Sequence, residues 1–219
     1  DNNSSLYANA AKSFKMPTFT QIYGGGGANF AANPLLEPEE GWTYEFGYKK
    51  ASNTSMFKAA LYYMDLDTIE YEGKGTSSNP YVTRNMSFKN KGLEMTYEKD
   101  FGSKYSYSLG ANFCNPMGKN KKGVWERKFA REQYNAGIKY HDAKFNAALT
   151  GMFTTDRASG WGDLLPVNFI AGYKFDKSSS VELGVENIFD RDDIVSNPGS
   201  ATKYYCLPRM VHVTYTYTF

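Results

Sequence analysis

Few residues of this 219-residue chain have types and spacing suited to chemistry. His141 stands beside Asp142 in a turn-like stretch, and His212 lies far downstream. No Ser, His and Asp are spaced in a way that suggests a nucleophilic triad. Gly24-Gly25-Gly26-Gly27 lacks the Lys-Ser/Thr of a phosphate-binding loop, and no helical pattern follows it, so it reads as a flexible connection. Two histidines and two cysteines leave little room for a metal site or a disulfide framework. Neither a catalytic set nor a cofactor is indicated. The candidates that remain are for binding. Tyr23, Phe30, Trp125 and Trp161 fall in long connections, where they either stack on a planar ligand or hold the loops together. Arg131 and His212 fall on polar strand faces. His212 is either a ligand contact or a hydrogen-bonding residue of the wall. Lys119-Asn120-Lys121-Lys122, with Arg127 and Lys128 nearby, is either a solvated tip or a cationic patch that pairs with phosphates or steers an anionic chelate.

Composition narrows what can position these residues. The formal charge is only +2, which argues against a general nucleic-acid binder. Phe, Tyr and Trp make up 16% of the chain, too many for a disordered segment. No run approaches the roughly 18 apolar residues of a membrane helix. The chain begins at Asp1, as expected of a processed or partial product.

Period-two alternation is the dominant pattern. Val211, Val213, Tyr215, Tyr217 and Phe219 alternate with His212, Thr214, Thr216 and Thr218. Tyr105, Tyr107, Leu109, Ala111 and Phe113 alternate with Ser106, Ser108, Gly110 and Asn112. About ten strands are predicted, near 5–13, 42–50, 56–67, 86–100, 105–114, 130–140, 144–153, 165–175, 181–189 and 204–219. Their connections alternate strictly between short (51–55, 101–104, 141–143, 176–180) and long (14–41, 68–85, 115–129, 154–164, 190–203). In an up-and-down antiparallel sheet, alternate connections share an end. One end therefore carries tight turns and the other long loops, the layout of outer-membrane barrels.

The two faces agree with this. One is aromatic and aliphatic. The other carries Glu45, Lys49, Glu94, Glu98, Arg131, Lys139, Glu182 and Glu186 among small polar residues. A soluble barrel buries its apolar face inside; here the charged face suits a wet lumen and the apolar face suits lipid. Aromatics gather toward the short-turn end, as an interfacial girdle does. The predicted fold is an all-β, transmembrane, antiparallel up-and-down barrel. Cys114 and Cys206 are five strands apart by this count, roughly 24 Å of wall, and a disulfide needs Cα atoms within about 7 Å.

Several segments resemble the C-terminal part of the barrel of TonB-dependent outer-membrane receptors, which take up ferric siderophores, haem, cobalamin and related ligands. Phe14-Lys15-Met16-Pro17-Thr18 is similar to the family's strand end, and Asn33-Pro34-Leu35-Leu36-Glu37-Pro38-Glu39 to its N-P-x-L-x-P-E segment. Lys91-Gly92-Leu93-Glu94-Met95 resembles a strand start, and Leu183-Gly184-Val185-Glu186-Asn187-Ile188-Phe189-Asp190 its L-x-V-x-N-hydrophobic-F-D segment. The terminal Tyr215, Tyr217 and Phe219 resemble the signal read by outer-membrane assembly machinery.

This resemblance implies that residues 1–219 are the C-terminal part of one β-barrel domain, about ten of some 22 strands, with the plug domain and N-terminal strands lying elsewhere. It implies a non-enzymatic outer-membrane receptor for TonB-dependent uptake of a metal chelate such as a ferric siderophore. The expected partners are the TonB energising complex through the plug, the rest of the barrel, the chelate, and outer-membrane lipid and lipopolysaccharide. Haem receptors of the family usually carry a ligating His between the first two matched segments. Residues 18–32 contain none, although Tyr23 could ligate iron. The alternative is a passive porin-like or structural barrel.

Overall fold

The computed structural model describes residues 3–25, 29–157, 161–196 and 203–219. In chain order the strands are β1 (Ser4–Lys15), β2 (Glu39–Ala51), β3 (Ser55–Glu72), β4 (Val82–Phe101), β5 (Tyr105–Cys114), β6 (Met117–Lys119) and β7 (Trp125–Arg127). They continue as β8 (Glu132–His141), β9 (Phe145–Thr155), β10 (Val167–Lys174), β11 (Ser179–Glu186), β12 (Ile194–Ser196), β13 (Tyr204–Tyr205) and β14 (Met210–Tyr217). One five-residue helix, α1 (Phe19–Tyr23), lies between β1 and β2. Ten strands follow one another in a single antiparallel path, β1-β2-β3-β4-β5-β8-β9-β10-β11-β14. The short hairpin β6–β7 continues β5 alongside β4, and β12–β13 pair separately.

Each strand joins its sequence neighbour, so the alternating loop lengths are sorted to opposite ends. The tight turns are built by local polar side chains. Asp142 Oδ1 accepts from the backbone N–H groups of Lys144 and Phe145 at 2.9 and 2.8 Å, while Tyr140 Oη donates to Oδ2 at 2.7 Å. Asp176 repeats the device with Ser178 and Ser179. Short acidic side chains thus stand in for the backbone acceptor that a turn lacks.

Cross-strand register assigns every side chain to a face, because directly paired residues share one. One apolar row runs Phe46, Leu61, Leu93, Phe113. Another runs Tyr107, Ile138, Leu149, Phe169, Val185, Val211. Ring pairs line this face at the short-turn end: Tyr97–Tyr107 at 5.9 Å, Tyr105–Tyr140 at 5.0 Å, Tyr140–Phe145 at 5.7 Å and Tyr173–Phe175 at 5.2 Å. The large apolar residues of this face are exposed, Leu109, Ile138 and Val213 among them. Of the described buried residues, Leu36 is the one hydrophobic side chain in a core, which a soluble domain of this size could not sustain.

The opposite face is polar and rich in glycine. Gly47, Gly92, Gly110, Gly137, Gly172 and Gly184 all lie on it. Polar rings from neighbouring strands lie over three of them. A Cβ built on Gly184 would fall 2.2 Å from the His212 ring, one on Gly47 2.2 Å from Tyr7, and one on Gly92 2.5 Å from the Tyr62 hydroxyl. The missing side chains make room for polar rings close against the wall.

Four expectations shift. β3 and β4 run five and four residues further toward the long-loop end than the alternation suggested, because Glu70, Glu72 and Arg84 keep the strand period while being charged. The predicted strand 181–189 ends at Glu186. Asn187 adopts a left-handed conformation, φ 47°, and its amide donates to the carbonyls of Arg191 and Leu207, so Asn-Ile-Phe-Asp is a turn. The last strand starts at Met210 rather than 204. Pro208 offers no N–H to a ladder, and Tyr204–Tyr205 pair instead with β12. Cys206 is therefore a loop residue; it and Cys114 are free thiols.

Two predictions follow from this architecture. Arginine at Leu109, Val185 or Val213 costs roughly 2–4 kcal/mol near mid-membrane, and at Ser108 or Thr214 on the wet face far less; denaturant unfolding in micelles or bilayers reads the difference. The Tyr140 hydroxyl and two turn amides hold the Asp142 carboxyl at about 2, below its ordinary 3.8. Its contribution is complete above the ordinary value and disappears as pH falls toward 2. The stability gap between the parent and Asp142→Asn should be constant at neutral pH and close between about pH 4 and 2.

Candidate functional site

The long-loop end holds most of the chemistry, and α1 opens it. Thr18 caps the helix: its hydroxyl accepts from the Gln21 N–H, and the Gln21 side chain accepts from the Thr18 N–H at 2.7 Å. Gln21 Nε2 also donates to the Tyr71 hydroxyl at 2.7 Å, tying the helix to the projecting part of β3. Gly24 ends the helix at φ 74°. Gly26 and Gly27 lie outside the described residues.

The six candidate residues do not converge on one site. Tyr23 is 64% exposed and packs its ring on Phe19 at 4.6 Å. Phe30 contacts Tyr81 at 5.3 Å and Tyr71 at 5.6 Å, a cluster that pins its loop onto the β3–β4 hairpin. Thr83, fully buried, donates to the Gln21 carbonyl beneath it. Trp161 lies under the Arg157 guanidinium at 5.1 Å. Arg131 reaches Asp156 at 3.8 Å, and Arg127 donates to both the Asp156 carboxylate and, at 2.7 Å, the Arg157 carbonyl. Arg131 and Trp161 are thus joined through Asp156 and Arg157. His212 is on the polar face, over Gly184, in a hollow shared with Thr150, Asn168 and Glu186. Trp125 belongs elsewhere. Its register, Trp125–Lys119 in line with Arg127–Met117–Lys89–Asp65, continues the apolar face.

One charged cluster escaped the sequence. Lys121 Nζ meets Glu72 at 2.6 Å, Lys128 Nζ meets Glu70 at 2.7 Å, and Arg84 approaches Glu72 at 3.7 Å. Glu70, Glu72 and Arg84 extend the polar faces of β3 and β4. With Asn120, Lys121 and Met86 they line a hollow of about 190 Å³. The Lys121 ammonium draws the Glu72 carboxyl below its ordinary pKa. Continuing the even-numbered parity from Tyr62 through Leu66 to Glu72 would have placed the two carboxylates on this face. Nothing in the spacing pairs them with lysines 49 and 58 positions later.

The comparisons agree with this geometry. A family model described as TonB dependent receptor-like, beta-barrel matches residues 1–188. The ferric enterobactin receptor PfeA of Pseudomonas aeruginosa, solved as a mutant in complex with enterobactin, superposes with a TM-score of 0.77 at 17% identity, covering 100% of this chain and 39% of that one. The ferric-catecholate import receptor Fiu of E. coli K12 gives 0.71 at 19%, covering 100% and 33%. The copper transporter OprC gives 0.76 at 13%, covering 99% and 37%. The wall, its polar lumen face and its long-loop end are those of an outer-membrane β-barrel. The chain belongs to the TonB-dependent receptor-like β-barrel family, and it spans between 33% and 39% of the length of these solved structures.

The ion pairs at the hollow make a local prediction. Exposed pairs are each worth about 0–1 kcal/mol. Glu72→Gln should therefore leave the unfolding midpoint nearly unchanged but raise amide exchange across residues 117–127 several-fold. Unchanged exchange would show that the Lys121 contact does not hold this loop.

Proposed function

We propose that this chain forms the C-terminal part of an outer-membrane receptor that imports a metal chelate, of which a ferric siderophore is the reading best supported, driven by TonB through a plug. The observation that carries this is the family match over residues 1–188 on a wall whose lumen face is polar and whose long-loop end carries paired charges and aromatic rings. Two of the similar solved structures are named as receptors for ferric enterobactin and ferric catecholate, both iron chelates with anionic oxygen donors. Arg84, Lys121, Lys128 and Arg131 lie on the lumen side of the long loops, four cations paired with the three carboxylates Glu72, Glu70 and Asp156, and an anionic chelate would be drawn to the positive surplus. Residues 18–32 contain no histidine, and Tyr23 packs its ring on Phe19. A chelate that brings its own donors fits this better than haem.

Extraction of the native protein followed by mass spectrometry identifies what co-purifies. Uptake of that labelled chelate should then be lost both in cells lacking this protein and in cells lacking TonB. Uptake that persists without TonB would favour a passive channel. Replacement of Arg84 and Lys121 by Gln should weaken chelate binding about tenfold without changing barrel assembly.

Orientation is tested separately. A cysteine at Lys122 should be labelled in intact cells and one at Lys177, in a tight turn, should not. Ser179 in that turn is buried and hydrogen-bonded to Asp176, which makes it a poor reporter. Labelling at Lys177 in unbroken cells would reverse the assignment of ends.

A further inference from the structure

The short-turn end holds a second hollow, of about 500 Å³, within the roughly 300–1,000 Å³ usual for small-molecule sites. Lys144, Lys174 and Lys177 line it, together with the hydroxyl groups of Ser180, Thr216 and Thr218. β9 and β10 carry their ladder one step past Phe145, because the Lys174 N–H donates to the Lys144 carbonyl at 2.8 Å. Lys144 and Lys174 therefore stand directly opposite each other. Their row continues through Ser180 to Thr216. It lies on the lumen face, next to the row of Asn146, Gly172, Glu182 and Thr214. Lys177 joins it from the adjoining turn.

Like charges at directly opposed positions destabilise a sheet, and the carboxylates around this pair do not compensate it. Asp176 is the one carboxylate in the lining. Its oxygens already accept from the N–H groups of Ser178 and Ser179 and from the Ser179 hydroxyl. Asp142, in the neighbouring turn, takes two amides, the Tyr140 hydroxyl and Lys104. Glu182 is one row farther into the lumen, and the Phe219 carboxylate follows Thr218. Among the described residues none of the three lysines has a carboxylate within ion-pair reach. A local cost of this kind, left standing in an otherwise consistent wall, marks a position kept for a ligand.

We propose that this hollow holds an anionic oxygen group of the chelate as it leaves the lumen for the periplasm. The inference rests on the import reading and adds a station at the opposite end of the wall from the long loops. Position and size select the occupant. The lysine row faces the lumen, away from lipid, and a ligand-sized concavity suits a small molecule better than the broad patch a protein partner needs. Ammonium groups are compact, strongly hydrated charges, and hydroxyls add donors that rotate to suit. Together they hold an oxyanion without imposing one geometry, which suits a point of departure.

Fluorescence on the complete protein in micelles tests it, with Cys114 and Cys206 replaced by Ser. One preparation carries a dye on a cysteine at Ala143, and another on a cysteine at Lys122. The probe is the iron(III) tris-catecholate complex, a trianion whose iron quenches a nearby dye. It should quench the Ala143 label. Lys144→Gln with Lys174→Gln and Lys177→Gln should weaken that quenching about tenfold and leave the Lys122 label's response unchanged. The uncharged iron(III) tris-hydroxamate complex should quench the Ala143 label as weakly as the trianion does in the triple variant. Heat-dependent gel mobility confirms that each variant is a folded barrel. If the triple variant does not assemble, Lys177→Gln alone, outside the ladder, should weaken quenching about threefold. Quenching of the Lys122 label without the Ala143 label overturns this inference and leaves the import reading standing. Quenching of the Ala143 label alone upholds the hollow as an anion site and counts against the import reading. Quenching of neither, an unchanged response in the triple variant, or equal quenching by the uncharged complex overturns the inference. Relief of quenching by equimolar hexaglutamate also overturns it, and assigns the hollow to an acidic peptide.

Discussion

Inside a bilayer no water is available to satisfy a backbone N–H or C=O, so every such group of a spanning segment must find its partner within protein. That constraint organises this chain. The order β1-β2-β3-β4-β5-β8-β9-β10-β11-β14 pairs each long strand with its sequence neighbours through turns or loops that do not cross the sheet. Two edges remain, the outer sides of β1 and β14, each a row of backbone groups with no ladder partner in the path. In lipid such edges are closed by further strands. The solved relatives, each more than twice as long as this chain, have room for them.

The same constraint leaves side chains free to divide labour between faces. The apolar face needs only bulk, and it carries rings and branched aliphatics in rows. The lumen face must carry polar groups and leave space, and glycine supplies the space. His212, Tyr7 and Tyr62 lie where a Cβ on the opposite strand would otherwise stand. Polar rings on glycine wall positions keep the lumen surface hydrogen-bonding without protruding far into it.

Beyond the membrane the rule relaxes, and ion pairs take over from ladders. β3 and β4 project well past the 9–11 residues needed to span. Their charged ends anchor the loop 115–131 through Glu70 and Glu72, while Asp156 ties Arg127 to Arg131. Exposed pairs of this kind are individually weak, so several act together on each loop.

The sequence by itself determined the ten spanning strands, their faces and the sorting of loops. Each of these depends on a period of two and on turn residues such as Asp142 and Asp176, which act within three positions of themselves. The family resemblance was legible on five short segments. The site was not. Trp125 looked like a long-loop aromatic until the β6–β7 register put it on the lipid side, and a register is a relation between strands that one strand's alternation does not contain. Glu70 and Glu72 looked like loop charges because their strand outruns its apolar run. Their pairing with Lys128 and Lys121, like the joining of Arg131 to Trp161 through Asp156 and Arg157, spans distances in sequence that only the folded sheet brings together.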